Sequence, residues 1–146
     1  MTAADLMKMS QVELDDLFKA NPAGDIPDGQ AKGTAIIAPG TVFSPEIAEI
    51  VSVFAWQGKT FDSARGVLSN RILSLGLNAI IATVYKDKSW LDGNECIVLD
   101  YSKTSLVAHW IRDEIRQIAP KFYLGKVYWE KSRLIDFCLD FNAPQP

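Results

Sequence analysis

Apolar and polar positions change period several times along the chain, and each change predicts an element. Val12, Leu14, Leu17 and Phe18 give one apolar side to a short helix beginning near Ser10. Ser10 and Glu13 have the capping-box spacing, in which hydroxyl and carboxylate each satisfy an otherwise free backbone amide. Asn21-Pro22 stops this helix, and Pro22, Gly24, Pro27 and Gly29 favour a surface loop leading into a strand from Ala31 to Ala38. After Pro39-Gly40, Ser44-Pro45-Glu46 predicts a second helix near 44–56: a serine cap, a proline where its missing N–H costs little, and an acid at the positive end of the dipole. Ile47, Ile50, Val51 and Phe54 keep its i, i+3, i+4, i+7 spacing, and Gln57-Gly58 then delivers the chain into Lys59 to Asp62.

Beyond Gly66 the pattern is that of strands. Val67 to Leu73, Asn78 to Tyr85 and Glu95 to Tyr101 read as three, separated by Ser74-Leu75-Gly76 and by a connection holding Trp90 and Asp92-Gly93. A third helix is expected near 105–118, with Val107, Trp110, Ile111, Ile115 and Ile118 on one side and His109, Arg112, Asp113 and Arg116 on the other. Phe122 to Trp129 and Arg133 to Phe141 follow as strands. The last alternates most clearly, placing Ile135, Phe137, Leu139 and Phe141 on one face and Asp136, Cys138 and Asp140 on the other.

Six to seven short strands in hairpin-like succession predict an α+β domain that is mostly antiparallel β. Hairpin-length connections cannot join parallel strands, and an open sheet would leave bare edges. The expected form is a small lipocalin-like (calycin-like) curled sheet or barrel, able to enclose one small ligand. The 146 residues read as a single domain, with 1–9 and 142–146 as flexible tails.

Composition narrows the function by exclusion. Fifteen basic and 18 acidic residues give a net charge of −3, a poor match for a nucleic-acid binder. No apolar run approaches the roughly 18 residues of a membrane helix. Met1 to Asp16 lacks the basic-then-apolar order of a secretion signal, so the expected location is the cytoplasm. Cys96 and Cys138 are then expected to be reduced and buried. One histidine and two cysteines are too few for a dedicated structural zinc. P-loop, dinucleotide and nucleophile-elbow motifs are absent, and no motif identifies a reaction or a cofactor.

The most distinctive segment is Phe54-Ala55-Trp56-Gln57-Gly58-Lys59-Thr60-Phe61-Asp62. Its Trp-x-Gly-Lys-x-Phe core resembles segments of uncharacterised bacterial proteins named for a Gly-x-Trp-x-Gly motif, and of the companion domain that commonly follows it. Asp92 to Tyr101, with Leu124-Gly125 downstream, is similar to that companion's last strands, where a Leu-Gly turn leads into the final hairpin. The likeness spans about half of the chain; it departs at Phe54, where the motif has glycine, and at the helix expected from Ser105 to Ile118. It implies a small lipocalin-like barrel of unknown function.

Trp56 and Phe61, flanking Gly58, can line a pocket mouth with Lys59 as a cation for a carboxylate or phosphate, or can simply pack the helix against the sheet. Asn70, Arg71, Tyr85, Asp100, Tyr101, Lys126 and Tyr128 interrupt apolar strands and so belong either to a wet cavity or to an exposed face. Strand alternation allows only about half of them into one cavity, and Lys126 with Tyr128 is the pair chosen as inward. His109 and Asp113 at i, i+4 can meet on a helix but lack a visible nucleophile; Arg112 and Arg116 form either surface charge pairs or a clamp for an anion. Asp136 and Asp140, roughly 13 Å apart on one strand face, are too distant for a carboxylate dyad. The leading expectation is a barrel pocket for a small, mostly apolar or amphipathic molecule with a polar or acidic end. Its candidate ligand-binding residues are Trp56, Lys59, Phe61, Arg71, Tyr85, Tyr101, Lys126 and Tyr128. The alternatives are an enzyme using tyrosine, lysine or aspartate in the same pocket, and a protein-interaction module, including a homodimer, docking through the helix at 105–118.

Overall fold

In the computed structural model, residues 1–37, 44, 45, 48, 59–72, 77–103 and 110–142 are described, 70–72 and 77–80 by their backbone alone. Two helices, α1 (Ala3–Met7) and α2 (Gln11–Lys19), precede eight strands: β1 (Gly29–Ile36), β2 (Lys59–Asp62), β3 (Val67–Ile72), β4 (Leu77–Lys88), β5 (Glu95–Asp100), β6 (Ile111–Ala119), β7 (Phe122–Trp129) and β8 (Ser132–Asp140). Each strand pairs antiparallel with the next, and β1 pairs with β8, so the sheet closes into an up-and-down barrel with no free edge. No described helix is long and apolar enough to cross a membrane.

The strand count is therefore eight rather than six to seven, because residues 111–118 of the helix expected over 105–118 belong to β6. Ile111, Asp113 and Ile115 face one side and Arg112, Glu114 and Arg116 the other, a period of two that the helical spacing of Trp110, Ile111, Ile115 and Ile118 disguised. Over 111–118 the docking surface expected on that helix is replaced by a strand of the barrel. Residues 104–109, including His109, lie outside the described residues, as does most of the helix expected over 44–56; there, the Ala48 N–H donates to the Ser44 carbonyl at 2.9 Å.

The alternation of β8 holds: Ile135, Phe137 and Leu139 belong to the interior cluster, whereas Cys138 packs on the outer face. Inside, Gly125 is required by a close approach, since a Cβ there would overlap the Phe137 ring. Outside, a second apolar cluster forms where α1 and α2 lie across the barrel, burying Leu6, Leu14 and Phe18 against Cys96, Val98, Phe122, Leu124 and Cys138. Both helices begin with a capping box, at Thr2/Asp5 and at Ser10/Glu13. The tail reading of 1–9 is thus corrected: Leu6 is fully buried and anchors α1. Residues 143–146 lie outside the described residues. Both cysteines are free and buried, and burial pushes their thiols up to about 12 for Cys96 and about 11 for Cys138, which keeps them un-ionised.

The two ends of the barrel differ. At one end the connections are short, 63–66, 89–94 and 120–121, and residues 21–28 run across the opening. Gln117 donates its backbone N–H to the Ala23 carbonyl (3.0 Å), Tyr123 its hydroxyl to the Asp25 carbonyl (2.7 Å), and Ser63 its N–H and hydroxyl to Asp28 (2.8 and 2.7 Å). Gln117 and Tyr123 stand on β6 and β7 and Ser63 follows β2, on opposite sides of an eight-stranded ring, so the segment spans the end rather than skirting it. Ala23 and Ile26 plug the interior, and Gly24, at φ +76°, permits the close pass over Gln117. Phe61 and Tyr123 each pack edge-on against Phe141, 5.6 Å between ring centres. From the opposite end leave the long connections 37–58 and 101–110. Long connections at one end of a rigid scaffold are where binding function concentrates.

Candidate functional site

Toward the end with the long connections, three polar side chains meet in the barrel interior. Lys59 is the first residue of β2, Tyr101 the residue after β5, and Asp113 the third of β6. Their exposures are 2, 0 and 3 %. The Lys59 Nζ donates to the Tyr101 Oη at 3.1 Å and lies 3.7 Å from Asp113 Oδ2, while the Tyr101 hydroxyl donates to the same Oδ2 through a long 3.5 Å bond. Strands β2 and β6 face each other across the ring, so the Lys59–Asp113 pair ties the two walls of the barrel together. Lys59 Nζ also lies 5.8 Å from the ring centres of both Tyr101 and Phe137.

This neighbourhood is hostile to charge. The register sets Asp113 between Leu99 and Val127 on adjacent strands, both in the apolar interior. Burial pushes the Asp113 carboxyl up to about 6, opposed by the Lys59 charge and by hydrogen bonds from Lys59 and Tyr101. The same burial lowers the Lys59 ammonium, opposed by Asp113. Among the described residues, Asp113 Oδ1 has no hydrogen-bond partner. The chemistry on offer is a cation, a phenol and a carboxyl poised near neutral pH, with Ile111, Ile115, Val127 and Ile135 among the apolar lining.

Of the residues expected to bind a ligand, the barrel brings Lys59, Phe61 and Tyr101 inside. The side chains of Trp56 and Arg71 lie outside the described set. Tyr85, Lys126 and Tyr128 face outward, correcting the choice of Lys126 with Tyr128 as the inward pair. Lys126 is fully buried, but beneath α2, where its Nζ donates to Asp136 Oδ2 (2.6 Å) and Asp15 Oδ1 (2.7 Å). Tyr128 stacks edge-on with Trp90 at 5.1 Å, and Tyr85 donates its hydroxyl to Asp100 at 2.7 Å. Burial holds both phenols up to about 12, Asp100 adding to the shift at Tyr85 and Glu114 at Tyr128.

The two arginines of β6 are spent on the outer wall. Arg116 forks onto Asp92 with two 2.7 Å bonds and reaches the Phe18 and Glu95 carbonyls, fixing the end of α2. Arg112 stacks on Trp90 (4.2 Å) and pairs with the fully buried Glu114, which also accepts from the Ser89 hydroxyl and the Trp90 N–H. Neither is an anion clamp. Asp113, paired with His109 in the helical reading, is the candidate site residue that the sequence pattern hides most thoroughly. Its signal was the alternation of Ile111 and Ile115 with Arg112, Glu114 and Arg116. Among the described residues no group of three or more histidines, cysteines and acids is placed to hold a metal ion.

The sequence matches no protein-family model and no curated protein. Among solved structures, the chain is similar to a protein from Thermomonospora curvata, with 12 % identity over 96 % of this chain and 93 % of that one and a TM-score of 0.64. At that identity the likeness is one of fold alone.

Proposed function

We propose that the protein is a lipocalin-like binder of a small, mostly apolar molecule with a polar or acidic end. The molecule enters through the end that bears the long loops and sets its polar end on Lys59, Tyr101 and Asp113. The observation that supports this reading is the buried charged pair across an interior whose other described side chains are mostly apolar. Such a pair is a poor source of stability, because apolar residues of similar volume do as well or better, and so its presence calls for another role. Residues 21–28 are hydrogen-bonded across the far end, which favours the end with the long connections for access. Ile111, Ile135 and Trp129, toward that end, supply apolar surface for the rest of the molecule. Asp113 lies only two residues inside β6, or roughly 7 Å by strand rise, so the site suits a ring or a short chain rather than a long one. The likeness to the Gly-x-Trp-x-Gly companion domains stays part of this proposal. Against the features that carry it, Leu124-Gly125 lies within β7 and not at a turn, and 111–119 is a strand.

Thermal-shift measurement against fatty acids, haem, aromatic acids and aromatic alcohols, with native mass spectrometry of freshly purified protein, tests the reading. A ligand at about a hundred times its Kd adds about 2.7 kcal/mol, which for a chain of this size raises Tm by on the order of 5–10 °C. That shift is expected for at least one class and is expected to vanish in Lys59→Met. Uniform silence across the panel would remove the proposal.

A second reading, an acid–base enzyme at the same three residues, is favoured by one observation: a carboxyl pushed up to about 6 beside a phenol and an ammonium has the affinity for protons that proton transfer requires. Conversion of a bound panel compound, absent in Asp113→Asn, would select it over simple carriage.

A further inference from the structure

The polar end that this lumen accepts can be specified further, on the assumption that the proposed binding reading is correct. Among the described residues, the charges facing the interior are those of Lys59 and Asp113, and they balance. A carboxylate set beside them would leave a net negative charge in surroundings that already disfavour the Asp113 anion, and an ammonium would leave a net positive one; either is costly in a dry interior. An uncharged group leaves the balance intact.

The hydrogen bonds point the same way. Asp113 Oδ2 faces both Lys59 Nζ and Tyr101 Oη, whereas Oδ1 is buried and, among the described residues, has no partner. Buried acceptors are seldom left so, and a carboxylate oxygen can be satisfied only by a donor. A carboxylate ligand brings none and would set oxygen against oxygen. A hydroxyl or a primary amide brings a donor for Oδ1 without adding a charge. The structure assigns to the lumen, we infer, a small ring-sized apolar molecule ending in an uncharged hydrogen-bond donor, an alcohol, phenol or amide, in preference to the corresponding acid.

Four naphthalenes with one ring system and different ends test this: 2-naphthalenemethanol, 2-naphthamide, 2-naphthoate and 2-naphthylmethylamine, titrated calorimetrically at pH 8 into the wild type and into Asp113→Asn. The wild type is expected to bind the alcohol and the amide at least tenfold more tightly than the carboxylate and the amine. Asp113→Asn removes the negative charge and leaves Lys59, so the order is expected to turn over, with the carboxylate at least tenfold ahead of the alcohol. A wild type that binds the carboxylate or the amine as tightly as the alcohol overturns the inference while leaving a binding lumen in place. A wild type that binds none of the four, and nothing in the wider panel, overturns the binding reading itself. Should Asp113→Asn fail to fold, the order in the wild type decides alone.

Discussion

Lys59→Met is expected to destabilise the protein by about 3–5 kcal/mol, the usual consequence of removing one partner of a buried ion pair. For a chain of this size that lowers Tm by on the order of 10 °C. The loss comes from what stays behind. Asp113, 3 % exposed and walled by Leu99 and Val127, keeps only the long bond from Tyr101. Without the ammonium that opposes its desolvation, its carboxyl rises beyond about 6. A carboxyl whose folded pKa lies above its unfolded value of 3.8 contributes most to stability where it is protonated, and that contribution is lost as pH rises through the folded pKa. The deficit of the variant against wild type should therefore be small near pH 5 and grow toward pH 8. Lys59→Met combined with Asp113→Leu should recover most or all of the loss and flatten the pH dependence, because both charges are gone. Denaturant melts of the three proteins at pH 5 and pH 8 measure this. A single variant as stable as wild type at pH 8 would mean that the pair is not buried as described.

Lys126→Met is expected to cost a similar amount, again about 3–5 kcal/mol, but through the outer wall. Lys126 is the direct cross-strand partner of Asp136, and both side chains are fully buried. Its second bond, to Asp15, together with that from Arg133 to the same carboxylate, ties α2 to β7 and β8. The two acids respond to their settings in opposite directions. Burial raises Asp136 against the pull of Lys126, whereas the less buried Asp15 is held below its usual range by hydrogen bonds from Arg133 and Lys126, which outweigh its desolvation. Removing Lys126 leaves Asp136 with Gln11 as a weak donor at 3.4 Å. The expected result is a local loosening as well as a lower midpoint: amide exchange in α2, around Leu14 and Phe18, should speed up ahead of exchange in β7 and β8. Ligand selection in the lumen should be unchanged, since Lys126 lies on the opposite face of the sheet. Uniform acceleration throughout the barrel would show that α2 is not what this lysine secures.

Much of the architecture was legible in residue order. The Ser10/Glu13 box and the alternation of β8 follow from local geometry that tertiary contacts reinforce. The two failures differ in cause, and in β7 it is that a sheet covered on both faces loses its polar stripe. In β7 every residue from Phe122 to Tyr128 is buried, so Lys126 looked like an intrusion into a cavity when it was the buried partner of an outer ion pair. In β6 the candidate site residue conceals its own strand. Asp113 stands where the interior pattern demands an apolar side chain, and with that position polar the remaining apolar residues fit a helix. Sites that violate local rules are where function is commonly found. The Lys59–Tyr101–Asp113 constellation joins residues from opposite walls, and no sequence spacing announces a pairing that exists only once the barrel has closed.

Diffraction from crystals grown with 6-bromo-2-naphthalenemethanol, collected at the bromine edge, tests the central claim most directly. The account predicts one bromine peak inside the barrel toward the loop end, with the hydroxyl within hydrogen-bond distance of Asp113 Oδ1. Bromine found only on the outer surface, or a lumen without it at a concentration that saturates binding in solution, would contradict it.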